Sequence, residues 1–555
     1  MSSLRIPGLG PIVGHTADNC CRIWIRAGDP DDEKIELSST RRTIGLITII
    51  AVNEKPVLDF PVYYFRLHRE YDRTGTFLLG KESGIDARAK IIPLLPDTKY
   101  TVRVATLTID DPFPDDDMIS NEILLSRLPN ADVWRESLQD RQQLESEHTI
   151  AEFQTFPDSE EISDKYSFIL GSCRFPGILW KTKHADRIFG PIASQISEPS
   201  KKEPAPKFVL MVGDQIYADK LSRFLPVGRA DTFDEFQERY HSAFGSRNMR
   251  NLLRSVPNYM ILDDHEIEDN WTQDRFADGS KRQLFVLAMN AYMSYQWCHG
   301  PRTFGTRIYY TFECGGYPYF VLDTRTQRYM NDEESDLDDN HMLGRPSLGD
   351  EPNQLSRLLE WLVSQQQQRG NIPKFIVTSS VFAPNPIDAR ESSSKLSKEK
   401  SDSWPGYPAT KRLLLDCIVE NNIQNVVFLS GDIHCSNVAK ISYSGSDSAK
   451  KLKTFSITSS AFYWPFSFAD GDPSNYVHDS TKANQRDTFI LTGGVKVDYK
   501  ADNFTQDDNF CRIDIDRKKH QLVIRAFDKQ GNLVEEQTRS GKNKKIETKF
   551  KMIEW

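Results

Sequence analysis

Four apolar runs in the sequence each stop abruptly at residues that can bind metal ions. The segments are SFILGSC (167–173), FVLMVGDQIY (208–217), YMILDDHE (259–266) and VVFLSGDIH (426–434). A short apolar run is typical of a buried strand, and in open α/β sheets ligands bind where the carboxyl ends of strands meet. The sequence therefore predicts an α/β fold in which several strand ends converge on one polar site.

These strand ends supply thiolate, carboxylate, phenolate and imidazole groups. The candidate metal ligands are Cys173, Asp214, Tyr217, Asp263, Asp264, Asp432 and His434. A set of this kind is what a two-metal centre needs. A single G-D-x-x-Y or D-D-H-E string recurs by chance, because Asp after Gly is also a common turn residue. The prediction therefore rests on the occurrence of all four motifs in one order.

The order of these motifs resembles the PhoD-like alkaline phosphatases, relatives of the purple acid phosphatases in the metallophosphoesterase superfamily. The residues that carry the resemblance are G-S-C, G-D-Q-I-Y, D-D-H-E and G-D-I-H, together with SWPGYPATKRLLLD (403–416). The resemblance implies two mixed β-sheets flanked by helices, preceded by an N-terminal β-sandwich. It also implies hydrolysis of phosphomonoesters or phosphodiesters at a binuclear metal site.

The same resemblance indicates which metals to expect. The iron-plus-calcium sites of the family make Cys173 and Tyr217 expected ligands of Fe³⁺, with Asp214 bridging to a divalent ion. The chain departs from related phosphoesterases by carrying Asp264 where they commonly have Asn, and Asp432 where they commonly have His. Both exchanges introduce an anionic oxygen ligand, which favours Ca²⁺ as the second ion, with Zn²⁺, Mn²⁺ or Mg²⁺ as alternatives.

The expected mechanism is that of a two-metal hydrolase, in which the cations neutralise a phosphate and activate a hydroxide. His265 follows a candidate ligand directly, so we expect it to act as general acid or hydrogen-bond donor to the leaving oxygen. Arg174 is a candidate for holding a phosphate oxygen, with a surface salt bridge as the alternative. The pair Arg325 and Arg328, after the run YFVLDTRTQR, is a weaker candidate for the same role.

The chain length and a change of pattern predict more than one domain. At 555 residues the chain exceeds the size that one core supports, about 250–300 residues. Period-two alternation at 21–27 and 100–104 predicts strands, and Tyr100 after the Pro96-Asp97 turn resembles the corner of a fibronectin III-like sandwich. The predicted parts are a β-sandwich over 1–157, a metallophosphatase domain over 158–530 with polar insertions at 331–350 and 391–403, and a C-terminal tail over 531–555.

Composition argues against several other classes of protein. A formal net charge of −9 does not indicate a basic nucleic-acid-binding surface. No apolar run reaches the ~18 residues that a membrane helix needs, and the eight cysteines lack the spacing of a disulfide framework. We therefore expect a cytoplasmic protein whose partner is a small-molecule phosphate ester, with the preferred ester and the oligomeric state left open. The alternative is a non-catalytic binding or scaffold protein on a degenerate fold, which the retention of all four motifs disfavours.

Overall fold

The structure is a computed structural model of the chain. It describes residues 3–28, 41–111, 118–140, 147–177, 182–199, 203–219, 228–305, 307–331, 337–346, 352–387, 402–466, 471–537 and 543–555. Most of the predicted insertion 391–403 and about half of the predicted insertion 331–350 therefore lie outside the described residues.

Antiparallel strands are the main secondary structure of the first part of the chain. The elements are β1 (Leu9–Thr16), β2 (Cys21–Arg26), β3 (Arg41–Val52), β4 (Lys55–Pro56), β5 (Tyr63–Arg66), β6 (Thr74–Leu79), β7 (Lys99–Asp110) and β8 (Ile150–Gln154), with helices α1 (Asn121–Arg127) and α2 (Arg135–Gln139). Strands β1, β2 and β6 form one sheet, and β3, β4, β5, β7 and β8 form a second.

The two N-terminal sheets share one apolar core. Ile23 and Ile25 of β2 lie in this core together with Val102 and Val104 of β7. Successive strand residues face opposite sides of a sheet, so Leu107 of β7 packs instead in a second cluster beneath α1 and α2. The larger sheet therefore packs on both faces, and β3 and β7 are buried along most of their length.

The rest of the chain contains the elements of two mixed sheets. The strands are β9 (Lys165–Gly171), β10 (Val209–Val212), β11 (Asn258–Ile261), β12 (Tyr310–Cys314), β13 (Tyr317–Val321), β14 (Lys374–Val377), β15 (Val426–Ser430), β16 (Ser436–Ser444), β17 (Thr454–Thr458), β18 (Phe489–Ile490), β19 (Lys496–Thr505), β20 (Asn509–Asp516), β21 (Gln521–Asp528), β22 (Glu535–Gln537), β23 (Asn543–Lys545) and β24 (Glu547–Lys551). The helices are α3 (Thr182–Asp186), α4 (Phe189–Ser197), α5 (Phe233–Phe244), α6 (Arg247–Leu253), α7 (Gly279–Tyr295), α8 (Gln354–Arg369) and α9 (Pro408–Glu420).

These two sheets pack face to face and carry helices on their outer faces. One sheet has the order β11-β10-β9-β20-β21-β24, and the other has the order β12-β13-β14-β15-β17-β16-β19-β18. On β10, Leu210 and Val212 lie in the core between the sheets, whereas Val209 and Met211 pack with helices α4 to α7. On β15, Phe428 packs with α8 and α9. The coarse prediction of mixed sheets flanked by helices is confirmed.

C-terminal strands complete the six-stranded sheet. The sequence predicts an antiparallel pair over 511–516 and 521–527, and β20 and β21 confirm it. Strand β24, inside the predicted tail, pairs with β21 and forms an edge of this sheet. Part of the predicted tail is thus built into the fold. In the described ranges we find no helix with the length and apolar character needed to cross a bilayer.

Candidate metal centre

Strands from both mixed sheets end at the site. Strands β9, β10 and β11 lie side by side and parallel in one sheet, and they lead to Cys173, Asp214 and Asp263. Strand β15 of the other sheet leads to Asp432. Residues of all four sequence motifs therefore lie in one region, at the ends of strands from both sheets.

Two glycines allow the strand ends to come this close. Gly213 has a φ of +103°, and a Cβ at this position would lie 2.4 Å from the Cβ of Asp263. A Cβ on Gly431 would lie 2.3 Å from the hydroxyl oxygen of Ser172. Real Cβ atoms do not tolerate such contacts, so the Gly in each G-D motif is required by packing around the site.

The backbone at the strand ends adopts a left-handed conformation that non-glycine residues rarely use. The φ angles are 57° at Cys173, 56° at Asp214, 73° at Asp432 and 50° at His434. This conformation costs about 1–2 kcal/mol per residue and persists where the surrounding structure enforces it. Strained residues of this kind cluster at functional sites. The left-handed conformation of four candidate ligands therefore indicates that this region is a functional site.

The first donor group comprises Cys173, Asp214, Tyr217 and His434. One donor atom from each of Cys173, Asp214 and His434 lies within 4.8 Å of the others. The hydroxyl of Tyr217 lies 3.3 Å from Asp214 Oδ2 and 3.3 Å from His434 Nε2. Ser460 donates its hydroxyl to Cys173 Sγ at 3.1 Å. All four members are buried, so they form a compact set of sulfur, oxygen and nitrogen donors.

The second donor group comprises Asp263, Asp264 and Asp432, whose carboxylate oxygens also lie within 4.8 Å of one another. Asp263 Oδ1 accepts a hydrogen bond from the hydroxyl of Ser379 at 2.7 Å. The same oxygen accepts a hydrogen bond from Nε of Arg325. These two donors fix one oxygen of Asp263 and leave the other unpartnered.

His265 lies between the two donor groups and is held by Asp219. A donor atom of His265 lies within 4.8 Å of oxygens from Asp214 and Asp264. Its Nδ1 lies 2.8 Å from Asp219 Oδ1, and its ring stacks on Tyr217 with 4.2 Å between centroids. Burial lowers the pKa of His265, but the charges of Asp219 and Asp264 outweigh it and hold this pKa well above the ordinary value. The ring is thus kept in the form that donates protons.

Several donor atoms in both groups are buried without a hydrogen-bond partner. They are Asp214 Oδ1, Asp263 Oδ2, Asp264 Oδ1 and His434 Nδ1. Loss of hydration raises the pKa of Cys173, Asp214 and Tyr217 well above their ordinary values, and for Asp214 the opposing charge of His265 does not outweigh it. Buried polar atoms normally have partners, and a bound cation deprotonates thiols and carboxyls of this kind. The donor atoms therefore fit metal ions.

Arg174 is placed differently from the other candidate residues. Its guanidinium is buried, donates a hydrogen bond to Ser246 Oγ at 2.9 Å and lies over the ring of Phe189 at 5.5 Å. Burial lowers the pKa of Arg174 to about 10. These contacts join α4 to α6, so the phosphate-binding role of Arg174 stays a prediction without support from its contacts.

Two acidic residues organise the site although the sequence did not assign them a role. Glu266 accepts hydrogen bonds from the backbone N–H groups of Asp214 at 3.1 Å, Gln215 at 2.7 Å and Asp263 at 3.0 Å. It thereby joins the loops after β10 and β11. Asp219 holds His265, as described above. Glu266 belongs to the D-D-H-E motif and Asp219 follows Tyr217 by two residues, so both could have been inferred from their place in the motifs.

Aromatic rings border the first donor group. Trp464 stacks on His434 with 3.6 Å between ring centroids. Phe175 meets Tyr217 edge to face at 5.3 Å and Trp464 at 5.5 Å. Rings packed in this way fix the orientation of Tyr217 and His434 and keep water away from them.

Known proteins are similar to this chain in sequence over part of its length. A family model described as PhoD-like phosphatase matches residues 193–507, more than half of the chain. Alkaline phosphatase D of Bacillus subtilis (strain 168) is 26% identical over 215 residues, which is 37% of this chain and 36% of that protein. The chain thus aligns with only about a third of this relative. Cys173 and Arg174 lie before the residues that the family model matches.

The similarity to a solved structure extends over more of the chain than the sequence similarity does. A structure titled "Structure of PhoD" has a TM-score of 0.60 at 16% identity, covering 94% of this chain and 86% of that chain. A purple acid phosphatase, PPD1 from yellow lupin (Lupinus luteus) seeds, has a TM-score of 0.48 at 9% identity, covering 97% and 73%. The first likeness concerns the fold alone. The match of the family model shows that the chain belongs to the PhoD-like phosphatase family.

Proposed function

We propose that this protein hydrolyses phosphoric esters at a metal centre built from the two donor groups. The observation that carries the proposal is the convergence of strand ends from two sheets, with buried donor atoms that lack partners. Membership of the PhoD-like phosphatase family supports the same reaction class. Phosphomonoesters and phosphodiesters are both candidate substrates.

The two donor groups differ in the ion that suits them. Thiolate, phenolate and imidazole in the first donor group suit Fe³⁺, since Cys173 and Tyr217 ionise at neutral pH only beside a strongly polarising cation. The carboxylates of the second donor group suit a hard divalent ion, with Ca²⁺ favoured over Zn²⁺, Mn²⁺ and Mg²⁺. Asp214 is near enough to both groups to be shared. Ions at such positions neutralise phosphate charge and activate water.

Residues of the chain supply the proton chemistry. His265 lies between the donor groups and is oriented by Asp219, whose charge favours the protonated ring, so we assign it the transfer of a proton to the leaving oxygen. The side chain of His265 is 15% exposed, which allows an ester to reach it from solvent. Asp219 is a positioning residue in this assignment, because it acts through the imidazole.

The N-terminal part is proposed to be a fibronectin III-like sandwich over residues 1–157. Its two antiparallel sheets share a core, and the hydroxyl of Tyr100 accepts a hydrogen bond from the backbone N–H of Leu95 at 2.8 Å. A tyrosine bonded to the backbone just upstream is typical of the corner in such sandwiches. The proposed catalytic part covers residues 158–530.

Metal analysis of the purified protein, combined with a panel of phosphomonoesters and phosphodiesters, tests the proposed function. We expect bound metal, hydrolysis of at least one ester class, and loss of hydrolysis after chelation. A metal-free protein, or a metal-loaded protein that hydrolyses no ester on the panel, would contradict the proposal. The second result would favour the alternative of a binding or scaffold protein.

A further inference from the structure

The second donor group already contains a positive charge of the chain itself. Arg325 is fully buried, and its Nε donates a hydrogen bond to Asp263. Its Nη2 lies 3.4 Å from Asp264 Oδ1 and 4.0 Å from Asp432 Oδ2. One guanidinium therefore forms ion pairs with all three carboxylates that would hold the second metal ion.

Asp402 keeps this guanidinium in place. It pairs with Arg325 through both carboxylate oxygens, and Oδ2 lies 3.1 Å from Nη2. Arg328 donates to the backbone oxygen of Asp402 at 2.9 Å and to Oδ1 at 2.6 Å. Because Asp402 is itself held by Arg328, displacing Arg325 from the carboxylates would break a connected set of ion pairs.

Among the described residues, the first donor group has no lysine or arginine of this kind, and His265 borders both groups and so does not distinguish them. Within the described ranges, no lysine or arginine forms an ion pair with Asp214, whose side-chain partner is the hydroxyl of Tyr217. The neighbours of Cys173 are the hydroxyls of Ser172 at 3.2 Å and Ser460 at 3.1 Å. Neutral neighbours of this kind do not compete with a cation for the donor atoms.

We propose that the guanidinium of Arg325 is a resident counter-cation of the second donor group, so that one metal ion binds tightly at the first donor group and a second binds weakly, in competition with Arg325. Two effects weaken the second ion. It is repelled by a buried positive charge a few ångströms away, and it must share carboxylate oxygens that the guanidinium already uses. The inference rests on the metal positions of the proposed function.

Metal stoichiometry and calcium titration test this inference without an activity assay. The purified holoprotein is dialysed against metal-free buffer, its retained metals are counted by mass spectrometry, and Ca²⁺ binding is then measured by calorimetry. We expect the wild type to retain about one ion per chain and to bind Ca²⁺ weakly. In Arg325→Met we expect Ca²⁺ to bind at least about tenfold more tightly, since the competing charge is gone.

Arg328→Met is the matched control. It removes a buried guanidinium from the same loop, one that contacts Asp402, Thr324 and Ser380 and makes no ion pair with the three carboxylates. We expect its Ca²⁺ affinity to stay within about threefold of the wild type. Equal tightening in both variants would overturn the inference, because it would show a general effect of removing charge.

Two further outcomes would overturn it. One is a wild type that retains two ions per chain through dialysis. The other is a folded Arg325→Met variant that binds Ca²⁺ no more tightly than the wild type. If that variant does not fold, the wild-type stoichiometry still decides. Ester hydrolysis is measured separately, so an inactive protein with the expected metal pattern would refute the proposed function and leave this inference standing.

Discussion

The first and second donor groups show two ways of placing acidic side chains in a buried site. In the first group, Asp214 lies beside the hydroxyl of Tyr217, and burial raises its pKa although His265 acts in the opposite direction. In the second group, Arg325 and His265 outweigh burial and hold the pKa of Asp264 below its ordinary value. The comparison indicates that the first group depends on a cation from outside the chain more strongly than the second does.

Neutralisation in the second donor group is incomplete. Burial still raises the pKa of Asp263 and, with the charge of Asp402, that of Asp432. One guanidinium therefore does not compensate three carboxylates. The carboxylates attract a second metal ion while Arg325 repels it. We therefore expect a second ion to bind weakly at this group.

Asp214→Asn should produce the largest effect, because it removes an anion that both donor groups can share. We expect kcat/KM for a phosphate ester to fall by at least about a hundredfold. The melting temperature should change little, since the amide keeps the side-chain volume. Asp158→Asn, the same change at an exposed position, is the control. Normal turnover with both metals retained would show that Asp214 is not a ligand.

The second largest effect should be a loss of colour, which distinguishes the two donor groups. If the first group holds Fe³⁺, the wild type absorbs visible light through its thiolate and phenolate ligands. We expect Tyr217→Phe and Cys173→Ser to lose or shift this absorption, whereas Asp264→Asn in the second group keeps it. The measurement is the visible spectrum of each purified variant. Colour that persists unchanged in both first-group variants would exclude these side chains as ligands.

Sequence motifs predicted the strand ends well because the chemistry there is local. A run of buried strand residues followed by Gly-Asp marks both a turn and a candidate ligand, so Asp214 and Asp432 could be named as candidates without a structure. The apolar runs predicted an α/β fold, and the resemblance to the PhoD-like phosphatases implied the two mixed sheets flanked by helices. Membership of the PhoD-like phosphatase family, suggested by the order of the motifs, is confirmed.

Contacts between distant segments could not be predicted in this way. Asp402 lies 77 residues from Arg325 in sequence, in a polar stretch without a motif, and only the fold brings the two together. Arg174 was chosen as a phosphate ligand because it follows Cys173, yet a side chain next to a strand end can face either way. Its guanidinium lies against Phe189. Sequence proximity to Cys173 therefore does not by itself fix the direction of the Arg174 side chain.

Asp219→Asn should have an intermediate effect through His265. We expect kcat to fall by about 10–100-fold, the usual range for a group that orients a site residue. Asp219 holds the pKa of His265 above its ordinary value, so its loss lowers that pKa. A proton donor stops working as pH rises through its pKa, and the alkaline limb of the kcat profile should therefore move to lower pH. A lower kcat with an unmoved alkaline limb would mean that Asp219 acts only on the fold.

The smallest expected effects come from two serines, one beside each donor group. Ser460 donates its hydroxyl to Cys173 Sγ at 3.1 Å, and Ser379 donates to Asp263 Oδ1 at 2.7 Å. Each Ser→Ala change removes the hydrogen bond to a buried donor atom, together with one further bond, from the His434 N–H to Ser460 or between Thr324 and Ser379, and leaves the charge of the site unchanged. Such a bond contributes about 1 kcal/mol, so the effect on ion binding should be about fivefold.

Each of the two changes should alter a different measured property. Ser460→Ala leaves the Cys173 sulfur more electron-rich, so we expect the visible absorption to shift to longer wavelength while Ca²⁺ affinity is unchanged. Ser379→Ala frees Asp263 to rotate, so we expect Ca²⁺ to bind about fivefold more weakly while the spectrum is unchanged. Arg325 would still hold the same oxygen of Asp263, which is why this effect is small. If either variant changes both the visible absorption and the Ca²⁺ affinity, the two donor groups are coupled through Asp214. They then cannot be treated as independent binding positions.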